Sequence, residues 1–142
     1  MCTDEDGNLI AFGRGDSGQL GITDRQPVAG YYEPSPVMLK ITEDNGDPVN
    51  VTQISCGGNH NLIVTSKGSI YTWGYGDLHA LGHGDAKDEY RPRKLNVLAG
   101  GRKTFLDVKV HQVAGGGQHS AFLCTLDDKQ PSQVPNSQYM IS

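Results

Sequence analysis

Lys67-Gly68-Ser69-Ile70-Tyr71-Thr72-Trp73-Gly74-Tyr75-Gly76-Asp77 decides the fold, because an earlier stretch has the same form: Asp6-Gly7-Asn8-Leu9-Ile10-Ala11-Phe12-Gly13-Arg14-Gly15-Asp16. Gly7 and Gly68, Gly13 and Gly74, and Gly21 and Gly82 each stand 61 positions apart. Gln19-Leu20-Gly21 answers to Ala80-Leu81-Gly82. Further along, Gly57-Gly58-Asn59-His60 answers to Gly116-Gly117-Gln118-His119 at an offset of 59, so the second copy is two residues shorter in its long connection. A partial echo sets Met1-Cys2-Thr3-Asp4 against Leu123-Cys124-Thr125-Leu126. The chain therefore reads as beginning inside a repeat and ending just after one. Self-similarity at a fixed period marks a unit that buries its faces against copies of itself.

Within each copy the pattern is that of short strands. Leu9–Phe12 and Ile70–Trp73 each stop at a Gly, Val51–Ser55 and Val108–Ala114 precede the Gly cluster, and Leu62–Thr65 and Ala121–Thr125 follow the His. Pieces near Val37-Met38-Leu39 and Leu95-Asn96-Val97 supply a fourth strand. Gly, Asn, Asp and Pro turn residues bound these runs. No segment sustains a 3.6-residue apolar period, so little helix is expected. Four short strands per repeat predict an all-β chain made of two four-stranded β-propeller blades. The units are residues 1–65 and 66–128, with 129–142 a loose tail. Two blades cannot close a ring, and the open faces would expose strand edges. The chain thus reads as the last part of a longer propeller, with self-assembly as the alternative.

Composition narrows the function classes. The 142 residues carry a net charge of −4, which argues against a bare nucleic-acid binder, since phosphate contacts want clustered Lys and Arg. No apolar run approaches the roughly 18 residues of a membrane helix. The acidic start Met1-Cys2-Thr3-Asp4-Glu5-Asp6 lacks the order of a signal peptide. Three widely spaced cysteines read as a reducing compartment. The 19 glycines, about twice the average usage, speak for tight turns.

The succession (Asp/Lys)-G-x-x-x-x-(Phe/Trp)-G, x-L-G, P and G-G-x-H resembles the repeat of the regulator of chromosome condensation family over roughly residues 1–128. The resemblance implies a normally seven-bladed propeller, here incomplete. Tyr71-Thr72-Trp73-Gly74-Tyr75-Gly76, Ala80-Leu81-Gly82 and Ala114-Gly115-Gly116-Gly117-Gln118-His119-Ser120 resemble the closing repeat of the family's Ran exchange factor. That implies a nuclear, chromatin-associated guanine nucleotide exchange factor for the small GTPase Ran, with nucleosome or histone contact through the parent protein. It implies no cofactor, no small-molecule substrate and no membrane. The basic N-terminal arm and the Ran-facing wedge of that factor have no counterpart here.

By the same resemblance His119 lies on the Ran-facing side, with Gln118 beside it. His60 matches in position, though its turn has only the general repeat form. Asp16 and Asp77, with Asp85, are acidic loop residues suited to meeting a basic partner. Each has a structural alternative: Asp is a good turn former, and a Gly-Gly-x-His histidine can satisfy backbone groups between blades. For His60 the structural role is favoured. The competing family reading is a propeller interaction module without exchange activity, as in ubiquitin ligases, ciliary GTPase regulators or the ultraviolet-B photoreceptor. The last needs clustered tryptophans, and this chain has one.

Other motifs are better read as repeat turns. Gly13-Arg14-Gly15-Asp16-Ser17-Gly18 spells G-x-G-x-x-G, but Leu20-Gly21-Ile22 and Pro27 are poor material for the helix a dinucleotide site requires. The embedded Arg14-Gly15-Asp16-Ser17 adhesion signal lies in the same turn, and the sequon Asn50-Val51-Thr52 starts a strand. His79 and His83 stand in a Gly-flanked loop, and Cys56 of the Cys56/His60 pair becomes Gly115 in the second copy, so no zinc-type ligand set repeats. Cys56 and Cys124 are expected as small buried hydrophobes in strands. Phe12 and Trp73, at equivalent positions, are expected in the core. No catalytic residue and no metal ligand is assigned.

Overall fold

The computed structural model describes residues 1–96, 108–126 and 139–141. Among the described residues ten strands form three antiparallel sheets. The first holds β1 (Cys2–Thr3), β2 (Leu9–Arg14) and β3 (Tyr32–Leu39); the second β4 (Val51–Cys56), β5 (His60–Thr65), β6 (Ile70–Gly74) and β7 (Glu89–Lys94); the third β8 (Val108–Gly115), β9 (Ser120–Leu126) and β10 (Tyr139–Ile141). One 3-10 turn, Asp77–His79, is the helical element among the described residues. The all-β expectation holds.

Repeats and sheets are out of phase. The border at residues 65/66 falls in the tight turn between β5 and β6, in the middle of the second sheet. A blade therefore takes its inner pair of strands from one repeat and its outer pair from the next. The second sheet is one complete four-stranded blade. Among the described residues the first sheet holds an outer pair, β2–β3, and the third an inner pair, β8–β9, each edged by a short strand.

The turn chemistry repeats in detail. Asp4 N donates to Asn8 O and Thr65 N to Ser69 O; the Asp4 carboxylate accepts from Asn8 N, and the Thr65 hydroxyl accepts from Ser69 N. Asp4 thus stands where Thr65 stands, and Thr3↔Leu9 repeats the pairing Val64↔Ile70. Thr3 then corresponds to Leu123, so the Met1–Asp4 echo is out by two positions.

Side chains alternate across each strand, and the two faces of the second sheet build two cores. Ile63, Tyr71, Trp73 and Val51 pack with Leu9, Ala11, Leu20 and Leu39 of the first sheet. Leu62, Val64 and Ile70 pack with Val110, Val113, Phe122 and Cys124 of the third. Trp73 is fully buried, but Phe12 is 47% exposed, which corrects its assignment to the core. The positional equivalence is sound, since both sit at a bulge after the second inward residue of their strand. The first sheet covers Trp73, and no sheet among the described residues covers the outer face of β2.

Three more expectations change. Cys56, the last residue of β4, is exposed; Cys124 is buried as expected. The fourth strand of the second blade runs Glu89–Lys94, earlier than the expected Leu95–Val97. Its Pro92 is tolerated at the outer edge, and Leu95 N still donates to Ile70 O. Val97 lies outside the described residues. Finally, Tyr139–Ile141 pairs with Phe122–Cys124, so these three residues of the expected loose tail form an edge strand; residues 129–138 and 142 lie outside the described part.

Candidate functional site

Each Gly-Gly-x-His segment closes an inner hairpin, and the first glycine explains how. Gly57 N donates to His60 O at 2.7 Å and Gly116 N to His119 O at 2.8 Å. The imidazole then folds over its own turn, so that a Cβ on Gly57 would overlap the His60 ring and one on Gly116 the His119 ring. The two turns stack across the sheets, with Gly58 N donating to Gly116 O at 3.0 Å and Gly115 N to the Ser55 hydroxyl at 2.8 Å. Glycine is required here by close approach of backbone to backbone.

The equivalent histidines have opposite surroundings. His60 is 2% exposed, and its Nε2 lies 2.9 Å from Ser120 Oγ. Ser120 Oγ donates its one proton to Ala80 O at 2.7 Å, so it must accept from His60, which fixes the Nε2–H tautomer. Burial holds the His60 imidazole below its ordinary pKa, aided by the nearby His119 ring and opposed by a hydrogen bond to the His119 backbone. His60 is therefore closed off from solvent, and it joins the second and third sheets. His119 is exposed on the outer side of the third sheet, and Gln118 is exposed beside it.

The Ser120–Ala80 bond also has a counterpart in the first repeat. Asn61, at the position of Ser120, donates to Gln19 O, at the position of Ala80, and Trp73 Nε1 joins it at 3.1 Å. A second histidine–hydroxyl chain lies alongside: Thr72 Oγ1 donates to Leu81 O at 2.8 Å and contacts His83 Nε2 at 2.9 Å. Burial lowers the pKa of His83 too.

Asp16 and Asp77 follow β2 and β6 at the same end of the sheets as the Gly-Gly-x-His turns, because strands alternate direction. Tyr75 N donates to Asn59 O at 2.9 Å, tying this loop to the inner turn. Asp16 is engaged within its loop. Its carboxylate accepts from Arg14 Nε at 2.7 Å, and that bond holds it below the usual carboxylate range. The pairing also closes the Arg14-Gly15-Asp16 signal on itself. Asp77 is exposed and accepts from Leu78 N at 2.9 Å and from the Tyr75 hydroxyl at 3.4 Å. All five candidate residues thus lie at one end, and of the five Gln118, His119 and Asp77 are exposed.

Sequence reasoning missed two neighbours of Asp77. Leu78 is 60% exposed at φ 54°, and His79 is exposed at φ 60°. Left-handed backbone strains such residues. The repeat itself carried the signal, for Gly18 holds the position of His79 at φ 79°. No group of three or more potential metal ligands forms among the described residues, and Gly13–Gly18 is a turn without a helix.

Comparison with known proteins follows this geometry. The model of the regulator of chromosome condensation (RCC1) repeat matches residues 6–64 and 67–123, and a second model of that repeat matches 51–80. The human E3 ubiquitin-protein ligase HERC2 is 32% identical over 123 residues, covering 87% of this chain and 2% of that protein. The ultraviolet-B receptor UVR8 of Arabidopsis thaliana is 33% identical over 125 residues, covering 88% of this chain and 24% of that protein. Prp20p from Saccharomyces cerevisiae, a structure described with its binding to Gsp1p and histones, aligns with a TM-score of 0.66 at 25% identity, covering 84% of this chain and 27% of Prp20p. The chain spans about a quarter or less of the length of these relatives. The three sheets are an incomplete β-propeller.

Proposed function

The chain belongs to the regulator of chromosome condensation repeat family, and on that premise we propose that it is the C-terminal part of a chromatin-associated nuclear exchange factor for the small GTPase Ran. The observation that carries this reading is the free Gly116–His119 turn. It is rigid, backbone-bonded and polar, it leaves Gln118 and His119 exposed, and it shares an end of the sheets with exposed Asp77. The likeness to Prp20p, described as binding Gsp1p and histones, supports it.

Nucleotide exchange breaks no covalent bond in the protein and needs no nucleophile. A factor that binds the nucleotide-free GTPase more tightly than the loaded form weakens nucleotide binding by the same factor. Such a factor needs a preorganised surface, since ordering loops on binding costs affinity. Gln118 and His119 offer donors and acceptors from a fixed turn, and Asp77 favours a basic counterpart and speeds encounter. Histone contact belongs, in this reading, to the parent protein.

The test is release of GDP from loaded Ran on addition of the chain. Acceleration that falls at least about tenfold with His119→Ala, a loss of roughly 1.4 kcal/mol, supports the reading. No acceleration by the unsubstituted chain removes it. The second reading is an interaction module without exchange activity. It is favoured by the shared repeat in a ligase and a light receptor, and binding to a partner without GDP release would establish it.

A further inference from the structure

Ser35 stands between two prolines, in Glu33-Pro34-Ser35-Pro36, and no other serine or threonine of the chain is followed by proline. Proline at the next position has two local effects. It biases Ser35 to extended backbone, and it brings no N–H of its own.

The pairing of β3 with β2 lapses at this point. Ala11 faces Val37 and Gly13 faces Glu33, so Phe12 alone stands against Pro34, Ser35 and Pro36. These three residues are all exposed, and Ser35 N turns back to Glu33 Oε1 at 3.3 Å. A bulge ends ladder pairing locally and re-aims side chains. The prolines are tolerated there because no ladder bond asks for their N–H. β3 is also the edge strand of its sheet, so the segment is open along its length.

The second blade shows that this position stays open when another sheet packs beside it. Thr72↔Arg93 and Gly74↔Glu89 repeat the two flanking pairs, so Tyr90-Arg91-Pro92 is the same bulge and Arg91 is the counterpart of Ser35. The first sheet packs against that blade, and Arg91 bonds Asp24 of the β2–β3 connection at 2.8 Å. The Arg91 side chain is nevertheless 53% exposed. Access to Ser35 is thus a property of the outer strand of a blade, at the rim, and not of an uncovered blade face.

We propose that Ser35 is the phosphoacceptor for a proline-directed serine/threonine kinase. Such a kinase takes its acceptor as an extended segment. An apolar pocket for the following proline leaves any other residue's N–H unpaired, which rejects other neighbours. Ser35 Oγ attacks the γ-phosphorus of ATP, the bond from that phosphorus to the bridging oxygen breaks, ADP leaves with the electron pair, and the hydroxyl proton passes to the kinase's catalytic carboxylate. The product adds a charge of about −1.5 to −2 next to Glu33. The two equivalent rim positions would then carry opposite charges, phosphate at Ser35 and guanidinium at Arg91.

The test incubates the folded 142-residue chain with ATP and, in separate reactions, a cyclin-dependent and a mitogen-activated protein kinase. At least one kinase should transfer a single phosphoryl group, mapped by peptide fragmentation to Ser35. Ser35→Ala should abolish the transfer, and Ser35→Thr should retain it. Pro36→Ala keeps the hydroxyl and should slow transfer at least about tenfold, the penalty of one unpaired N–H in the kinase pocket. Far-UV circular dichroism of the variants should match the unsubstituted chain, since the substituted residues are exposed. Transfer to the folded chain by neither kinase, even where a synthetic peptide of residues 30–40 accepts it, would overturn the proposal. Transfer that survives Ser35→Ala would do the same. Ran takes no part in this reaction, so the modification site and the proposed exchange function fail separately.

Discussion

At Gly57 an alanine methyl would have to share space with the His60 ring and would lie 2.6 Å from Gly116 O. Neither can yield easily, since the ring is pinned by Ser120 and the carbonyl belongs to a stacked turn. Gly57→Ala is expected to cost about 2–3 kcal/mol, the upper range of overpacking. Gly13→Ala has open space around its Cβ and strains only a left-handed backbone, φ 103°, so it should cost about 1 kcal/mol. Urea unfolding of the two variants separates these mechanisms. The histidines predict a pH dependence. His60 and His83 have folded pKa values below the ordinary 6.5, both through burial. The unfolded chain therefore binds more protons as pH drops through that value, and stability present above it is lost as the pH falls below it. Denaturant midpoints between neutral pH and pH 5 should decline, and His60→Gln should flatten the decline. A midpoint that rises on acidification would refute the assignment of both as neutral buried imidazoles.

Among the elements, β2 and β6 form an internal experiment. Trp73 and Phe12 occupy the same repeat position at the same bulge, one fully buried and the other 47% exposed. Trp73→Ala should cost about 3–5 kcal/mol, as large core truncations do. Phe12→Ala should stay within about 0.5 kcal/mol in the dilute single chain. Guanidinium unfolding of both would measure what one covering sheet is worth. The pair also shows what could be read in the sequence. The 61-residue offset correctly made the two aromatics equivalent, because the turn glycines Gly7 and Gly68 and the strand-ending glycines are local features. Which of them is buried depends on a neighbouring sheet, and no local pattern records that. Phe12 was misplaced for this reason. The free turn at Gly116–His119 was legible as a motif, whereas the Leu78–His79 projection showed only as a non-glycine residue standing where the other repeat has Gly18.

For the whole molecule, the phase shift between repeats and sheets matters most. Because the border at 65/66 cuts a blade in two, neighbouring repeats are locked together by backbone pairing of β5 with β6 as well as by side chains. Unfolding should accordingly be one cooperative transition through both repeats, so that probes at Trp73 and in far-UV dichroism coincide. The same construction puts the candidate contact residues on turns held by backbone bonds, the rigidity an exchange factor requires. The most direct measurement is the affinity of the chain for nucleotide-free Ran against that for GDP-loaded Ran, in the same buffer. The account predicts preference for the nucleotide-free form by about tenfold or more, since linkage demands the preference that weakens nucleotide binding. Equal affinity for the two forms, or binding to neither, would contradict it.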